Sequence, residues 1–181
     1  LIEMIGGRQI HPNFGLPGGV SKGITEDQRK EIDRLGRDAI EFAKFSLQVF
    51  DDIVLKNPDY VGLIKNEGFI HRTYSMGTVD ENNHVNFYDG MIRVVDPAGA
   101  EFVKYHPRDY TKHIAERVEP WSYLKFPYLT GVGWKGFVDG QDSGVYRCTP
   151  LSRLNAADGM ATPLANDQYK RFYDTLGGKP V

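Results

Sequence analysis

Apolar residues at Ile32, Leu35, Ala39, Phe42, Phe45, Val49 and Ile53 recur at steps of three and four. That spacing lays one continuous stripe along a helix. Thr25-Glu26-Asp27-Gln28 has the form of a capping box and puts two acids in the first turn, where the helix dipole favours them. Asn57–Pro58 predicts the stop, because a residue before proline avoids the α region. A helix of about 30 residues is a rod of roughly 45 Å. A compact chain of this length has a radius of gyration of only about 16 Å. The expectation is therefore a helix built to lie across a larger body. Leu47 and Phe50 add apolar surface off the stripe, as a second covering partner would require.

After Pro58 the period changes. "HVNFY", "MIRVV" and "EFVKY" are short runs rich in β-branched and aromatic residues, separated by turn signals at 80–83, 89–90 and 96–99. A small antiparallel sheet of three or four strands is predicted there. "PRDYTKHIAERVEP" reads as a short helix capped by Asp109 and ended before Pro120, and 167–176 as a final helix ended by Gly177–Gly178. From Trp121 to Thr149 aromatics dominate without a period, so order there must come from packing against neighbours. The predicted fold class is α+β, a long helix plus short helices with a small antiparallel sheet. One domain over 1–181 is expected, with a Gly-rich loop and long helix at 1–58, a β region at 59–108, and a helix with an aromatic irregular segment at 109–181.

Composition narrows the function classes. The 181 residues are 40% hydrophobic and 25% charged with a formal net charge of −2, which lacks the basic face that nucleic-acid binding needs. No apolar run reaches the length of a membrane span. One cysteine, Cys148, excludes an intrachain disulfide and fits a reducing compartment. It stands in "YRCTPLSR", with no nucleophile signature. The five histidines are scattered, so no metal site is expected from this chain alone. Asp51–Asp52 reads as a solvated face. The opening "LIEMIGG" resembles the tail of an apolar segment, and the chain is expected to be a piece of something longer.

"GGRQIHPNFGLPGGVSKGI" (6–24) packs six glycines and two prolines into 19 residues. A phosphate loop needs lysine directly after its last glycine. Here Lys22 lies three past Gly19, so that reading fails. By residue type alone the stretch is a tight connector with a structural histidine, His11.

Four segments together carry a resemblance: "GGRQIHPNFGLPGGVSK" (6–22), "ERVEPWSYLKFPY" (116–128), "VYRCTPLSRLN" (145–155) and "MATPLA" (160–165). In this order they resemble the middle of the large subunit of nickel–iron hydrogenases, nearest the cytoplasmic, bidirectional or cofactor-coupled branch. The resemblance implies a fragment of a larger, mainly helical catalytic subunit that reversibly oxidises H2 to protons and electrons. It implies a nickel–iron centre in the full-length enzyme, held by cysteine pairs absent here, with no metal bound to this fragment and no activity of the fragment alone. It implies a partner in the form of an iron–sulfur small subunit, a diaphorase-type module beyond it, a cytoplasmic location, and self-association over surfaces left bare.

His11 matches the family's His–Pro motif, which implies a place beside the metal pocket or on a proton path. Arg147 and Arg153 match the "YR…PL.R" segment as orienting or packing arginines near the pocket. Where the family commonly has Gly–Pro–Leu–Ala–Arg, this chain has Thr149 and Ser152. Two other readings stand beside this one. The first is a metal-free relative such as the quinone-site subunit of respiratory NADH dehydrogenases, which has a "PGGV"-like segment. The second is a non-catalytic structural module.

Overall fold

The computed structural model describes residues 1–181, which divide into two compact units, Leu1–Val54 and Leu55–Val181. The division falls just before the Asn57–Pro58 stop.

The first unit opens with a short helix, α1 (Ile2–Gly6), followed by a two-stranded hairpin, β1 (Gly15–Leu16) and β2 (Gly19–Val20), turned at Pro17–Gly18. The long helix α2 runs over Glu26–Phe50. Its capping box is complete: the Thr25 hydroxyl accepts from the Gln28 N–H at 3.2 Å, and the Gln28 amide oxygen accepts from the Thr25 N–H at 3.0 Å. One π-type turn, Asp51–Leu55, continues it. The α-helical part is about 38 Å long, shorter than predicted because the helical hydrogen-bond register changes at Asp51 before the proline is reached. No residue of α2 is buried. Ile40, Phe42 and Phe45 are each more than half exposed. Exposed ion pairs such as Arg34 with Glu31 and Asp38 line the polar side.

The second unit begins with α3 (Pro58–Ile64), capped by Asn57. Its centre is a six-stranded sheet: β3 (Tyr74–Val79), β4 (His84–Val85), β5 (Met91–Val95), β6 (Glu101–Tyr105), and the later β9 (Tyr146–Arg147) and β10 (Gly159–Met160). Strand order is β10-β4-β3-β5-β6, with β9 also paired to β3. The pairs among β3–β6 are antiparallel hairpin products, whereas β9 and β10 join in parallel. The sheet is thus mixed and larger than the small antiparallel one predicted.

The predicted helix at 107–120 is replaced. One turn, α4 (Tyr110–His113), leads into β7 (Ile114–Val118), which pairs with β8 (Lys125–Leu129). Ile114 and Leu129 pack onto the sheet, and that contact selects extended backbone over helix. The aromatic segment 121–149 therefore contains two strands, β8 and β9, rather than irregular chain throughout.

Alternation along the strands separates two faces. One bears Tyr74, Val94 and Tyr105, with Met76, Ile92 and Val103, closed by Leu129 and Ile114 from the β7–β8 ribbon. The other bears Val79 and Val85, packed with Ala157. There α5 (Pro150–Asn155) lies on β3 over Gly77, where a Cβ would meet the Arg153 Cα at 3.0 Å. A larger residue at Gly77 would push the helix off. Finally α6 (Pro163–Leu176) buries Tyr169, Tyr173 and Leu176. It starts four residues earlier than the predicted 167, because Pro163 fits the first turn, where its missing N–H would have had no intrahelical partner. No helix is long and apolar enough to cross a membrane.

Candidate functional site

The three residues singled out from sequence do not meet in one place. His11 lies in the first unit, in the turn after α1, with the left-handed φ of 52° that costs a non-glycine residue. It is exposed. Arg147 and Arg153 lie in the second unit, on different elements.

Arg153 is on α5. Its guanidinium sits 4.6 Å from the centre of the exposed Phe87 ring, a cation–π contact that ties the helix to the β4–β5 loop. The family departures nearby explain themselves. Thr149 caps α5, its hydroxyl accepting from the Ser152 N–H at 3.2 Å, and the two hydroxyls lie 2.9 Å apart. Ser152 is fully buried, so the two changes form one satisfied polar pair.

Arg147 is on β9, opposite Ser75 of β3. Its Nε is enclosed and has no hydrogen-bond partner. Burial pushes the pKa of the guanidinium down, opposed by the negative charge of Asp139. The side chain lines a small cavity with Ile70, His71, Thr73, Pro97 and Pro180.

A second polar cluster lies under α5, missed in the sequence because its members are spread from 83 to 179. Arg93, 8% exposed in its side chain, donates from Nε to Glu101 at 2.8 Å and from Nη1 to the Ala156 carbonyl at 3.0 Å, and pairs with Asp158 at 3.1 Å. Asp158 also accepts from Lys179 and from Asn83, both at 3.0 Å. Lys179 further donates to the Ala157 carbonyl and to the Tyr169 hydroxyl. Burial works to raise the Asp158 pKa, but the hydrogen bonds from Lys179, Asn83 and Arg93 outweigh it and hold the group at about 2. Beside it Asn155 accepts from the Tyr173 hydroxyl at 2.7 Å and from the Val181 N–H at 3.1 Å, and donates to the Val181 carbonyl at 2.7 Å. Every polar group has a partner, so the cluster clamps residues 179–181 and α6 onto the sheet rather than presenting reactive atoms.

Cys148 is an exposed residue whose thiol is partly shielded by its surroundings, and that desolvation raises its pKa, the opposite of an activated nucleophile. No group of three His, Cys, Asp or Glu side chains is placed to hold a metal ion. The β7–β8 region carries an aromatic cluster: Phe126 and Phe137 have ring centres 4.8 Å apart, Trp134 and Phe137 5.1 Å, Trp121 and Phe126 5.4 Å. Trp121 and Phe137 are more than half exposed, so this is a presented surface rather than a core.

No protein-family model matches the chain. It is similar to the iron-sulfur subunit of the F420-non-reducing hydrogenase of Archaeoglobus profundus, 45% identical over 181 residues, all of this chain and 37% of that protein. It is 38% identical over 177 residues to a vhu subunit of the F420-non-reducing hydrogenase of Methanocaldococcus jannaschii, covering 98% of this chain and 40% of that protein. The crystal structure of an NAD+-reducing [NiFe]-hydrogenase in the H2-reduced state superposes with a TM-score of 0.72 at 27% identity, over 94% of this chain and 36% of that one. The chain is hydrogenase-related, and it spans well under half the length of the relatives it matches.

These comparisons correct the family expectation. The relative at 45% identity is named an iron–sulfur subunit, which overturns assignment to the nickel–iron large catalytic subunit and, with it, the nickel–iron enzyme and cofactor expected of the full-length protein. The partner expectation changes too, since the iron–sulfur name belongs to the relative itself rather than to a polypeptide it binds. The residues here do not fit a cluster of their own. Iron–sulfur clusters are generally held by four cysteine thiolates, and Cys148 is the one cysteine present.

Proposed function

We propose that this chain is a non-ligating structural part of a hydrogenase subunit of the F420-non-reducing kind, serving the transfer of electrons between H2 and a carrier. The observation that carries the reading is the 45% identity running over all 181 residues to one such subunit. The sequence supplies one thiol, so the cluster implied by that relative's name takes its ligands from other polypeptide. The relatives are more than twice as long as this chain. The polypeptide that makes up the difference is the natural cover for the apolar stripe of α2 and for the aromatic surface around Trp121 and Phe137. A helix whose apolar stripe is uncovered gains little from packing, and packing is what stabilises most protein helices. A cytoplasmic setting accords with the single unpaired thiol.

Within this reading Arg153 holds α5 to the Phe87 loop, and His11 handles protons in the assembled protein, where its exposed ring is free to meet other groups. The test is H2-dependent reduction of a viologen dye by the complete gene product assembled with its partner subunits, beside the isolated 181-residue chain. Activity in the assembly and none in the isolated chain is expected, with slower turnover in an assembly carrying His11→Ala. An assembly that oxidises no H2 overturns the hydrogenase reading.

A further inference from the structure

We propose that the apolar face of α2 seats a second copy of this chain, α2 against α2 and antiparallel, about a two-fold axis between Ala39 and Phe42. The inference concerns the 181-residue chain and does not depend on the hydrogenase reading; the longer polypeptide proposed above would compete for the same face. No residue of α2 is buried, and neither α1 nor the β1–β2 hairpin packs along it. Phe42, Phe45 and Phe50 are 69%, 60% and 40% exposed. At about 200 Å² for a whole phenylalanine, they leave roughly 340 Å² of each copy in water. With the aliphatic residues beside them, two copies bring about 1,000 Å² together, the size at which specific interfaces begin.

The order of side-chain sizes selects a second copy and its direction. Ile32, Leu35, Ala39, Phe42, Ser46 and Val49 follow the alternating three- and four-residue spacing of a coiled-coil seam. In an antiparallel pair Ala39 meets the partner's Phe42, Ser46 the partner's Leu35, and Ile32 the partner's Val49. Each layer then holds a similar total volume, which even packing requires. A parallel pair would set Ala39 against the partner's Ala39 and Phe42 against the partner's Phe42, a void one step from an overfilled layer. The antiparallel direction also opposes the two helix dipoles and brings Arg29 to the ring of the partner's Phe50. Asp38, which flanks the seam, is held by Arg34 at 2.9 Å and stays at the rim. The face is thus complementary to itself, as an interface about a two-fold axis must be.

The test is sedimentation equilibrium of the 181-residue chain across ~1–100 µM. A monomer–dimer equilibrium is expected, weakened at least about tenfold in Phe42→Asp. Ala39→Leu should weaken it too, because the larger side chain overfills the layer shared with the partner's Phe42. Both positions are exposed in the single chain, so the variants keep their fold, which circular dichroism checks. Direction is read from disulfide formation in a Cys148→Ser background. A mixture of Leu35→Cys and Ser46→Cys chains, one carrying a size tag, should give a mixed covalent dimer, and Ser46→Cys alone should give none. A chain that stays monomeric, a dimer that Phe42→Asp leaves intact, a tighter dimer in Ala39→Leu, or a covalent dimer from Ser46→Cys alone overturns the proposal.

Discussion

Removing the Arg93 guanidinium separates a covered ion pair from an exposed one of similar length. Arg93 lies under α5 with 8% of its side chain exposed, between Glu101, Asp158 and the Ala156 carbonyl. Breaking a fully buried pair costs about 3–5 kcal/mol. Two facts reduce that figure. Both carboxylates keep over 40% of their side-chain surface in water, and Asp158 retains Lys179 and Asn83. Against this, Ala156 is fully buried and its carbonyl loses the donor. Arg93→Ala should therefore cost about 2–3 kcal/mol. At about 4 °C per kcal/mol for a unit of this size, the melting temperature falls by roughly 10 °C.

Lys112→Ala is the control. Its contact with Asp109 is shorter, 2.6 Å, but its side chain is 72% exposed. Solvent screens an exposed pair of this kind, so the loss should be no more than about 2–4 °C. Arg93→Met keeps most of the apolar stem and isolates the polar part of the effect. Thermal unfolding followed by circular dichroism measures all three. Equal losses for Arg93→Ala and Lys112→Ala, or full stability in Arg93→Met, would refute the claim that covering by α5 gives this network its strength.

Two further outcomes follow from the same unit. The Asp158 pKa is lowered on folding, to about 2, so its contribution is complete above the unfolded value of about 3.9 and is lost as pH falls through about 2. Acid unfolding of Asp158→Asn should accordingly be flatter than wild type between about pH 4 and 2, and parallel acid limbs would contradict the assignment. At Gly144 the backbone is left-handed, φ +67°, and a Cβ would stand 2.2 Å from the Gly133 carbonyl oxygen. Gly144 also accepts the Leu129 N–H at 2.9 Å, so Gly144→Ala must move the strand that closes the apolar face. A loss of about 3 kcal/mol is expected in the stability measured by denaturant unfolding, and a loss below about 1 kcal/mol would show that the loop yields freely.

Local signals determined several elements by sequence alone. The cap of α2, its 3.6-residue stripe, and the hairpin strands β4 to β6 are written in residues close together, and short-range geometry suffices to form them. The 3.6 period showed that α2 has an apolar face; it could not show that none of its residues would be buried, because burial depends on what else is present. Ile114–Val118 looked helical because its neighbours in sequence favour a turn. Only packing of Ile114 and Leu129 on a distant sheet made it a strand, and Pro127 inside β8 disguised the partner.

The parallel pairings of β9 and β10 rest on two residues each, too few to leave a period, and they join segments some seventy residues apart. The sites follow the same division. His11, Arg147 and Arg153 could be picked out by motif, but no motif tells that the Nε of Arg147 is enclosed without an acceptor while Arg153 rests on a ring. Arg93, Asp158 and Lys179 stand far apart in the chain, and no local pattern links them. The tertiary fold alone joins them: it covers the Arg93 guanidinium, brings Glu101, Asp158 and the Ala156 carbonyl to it, and brings Lys179 and Asn83 to Asp158.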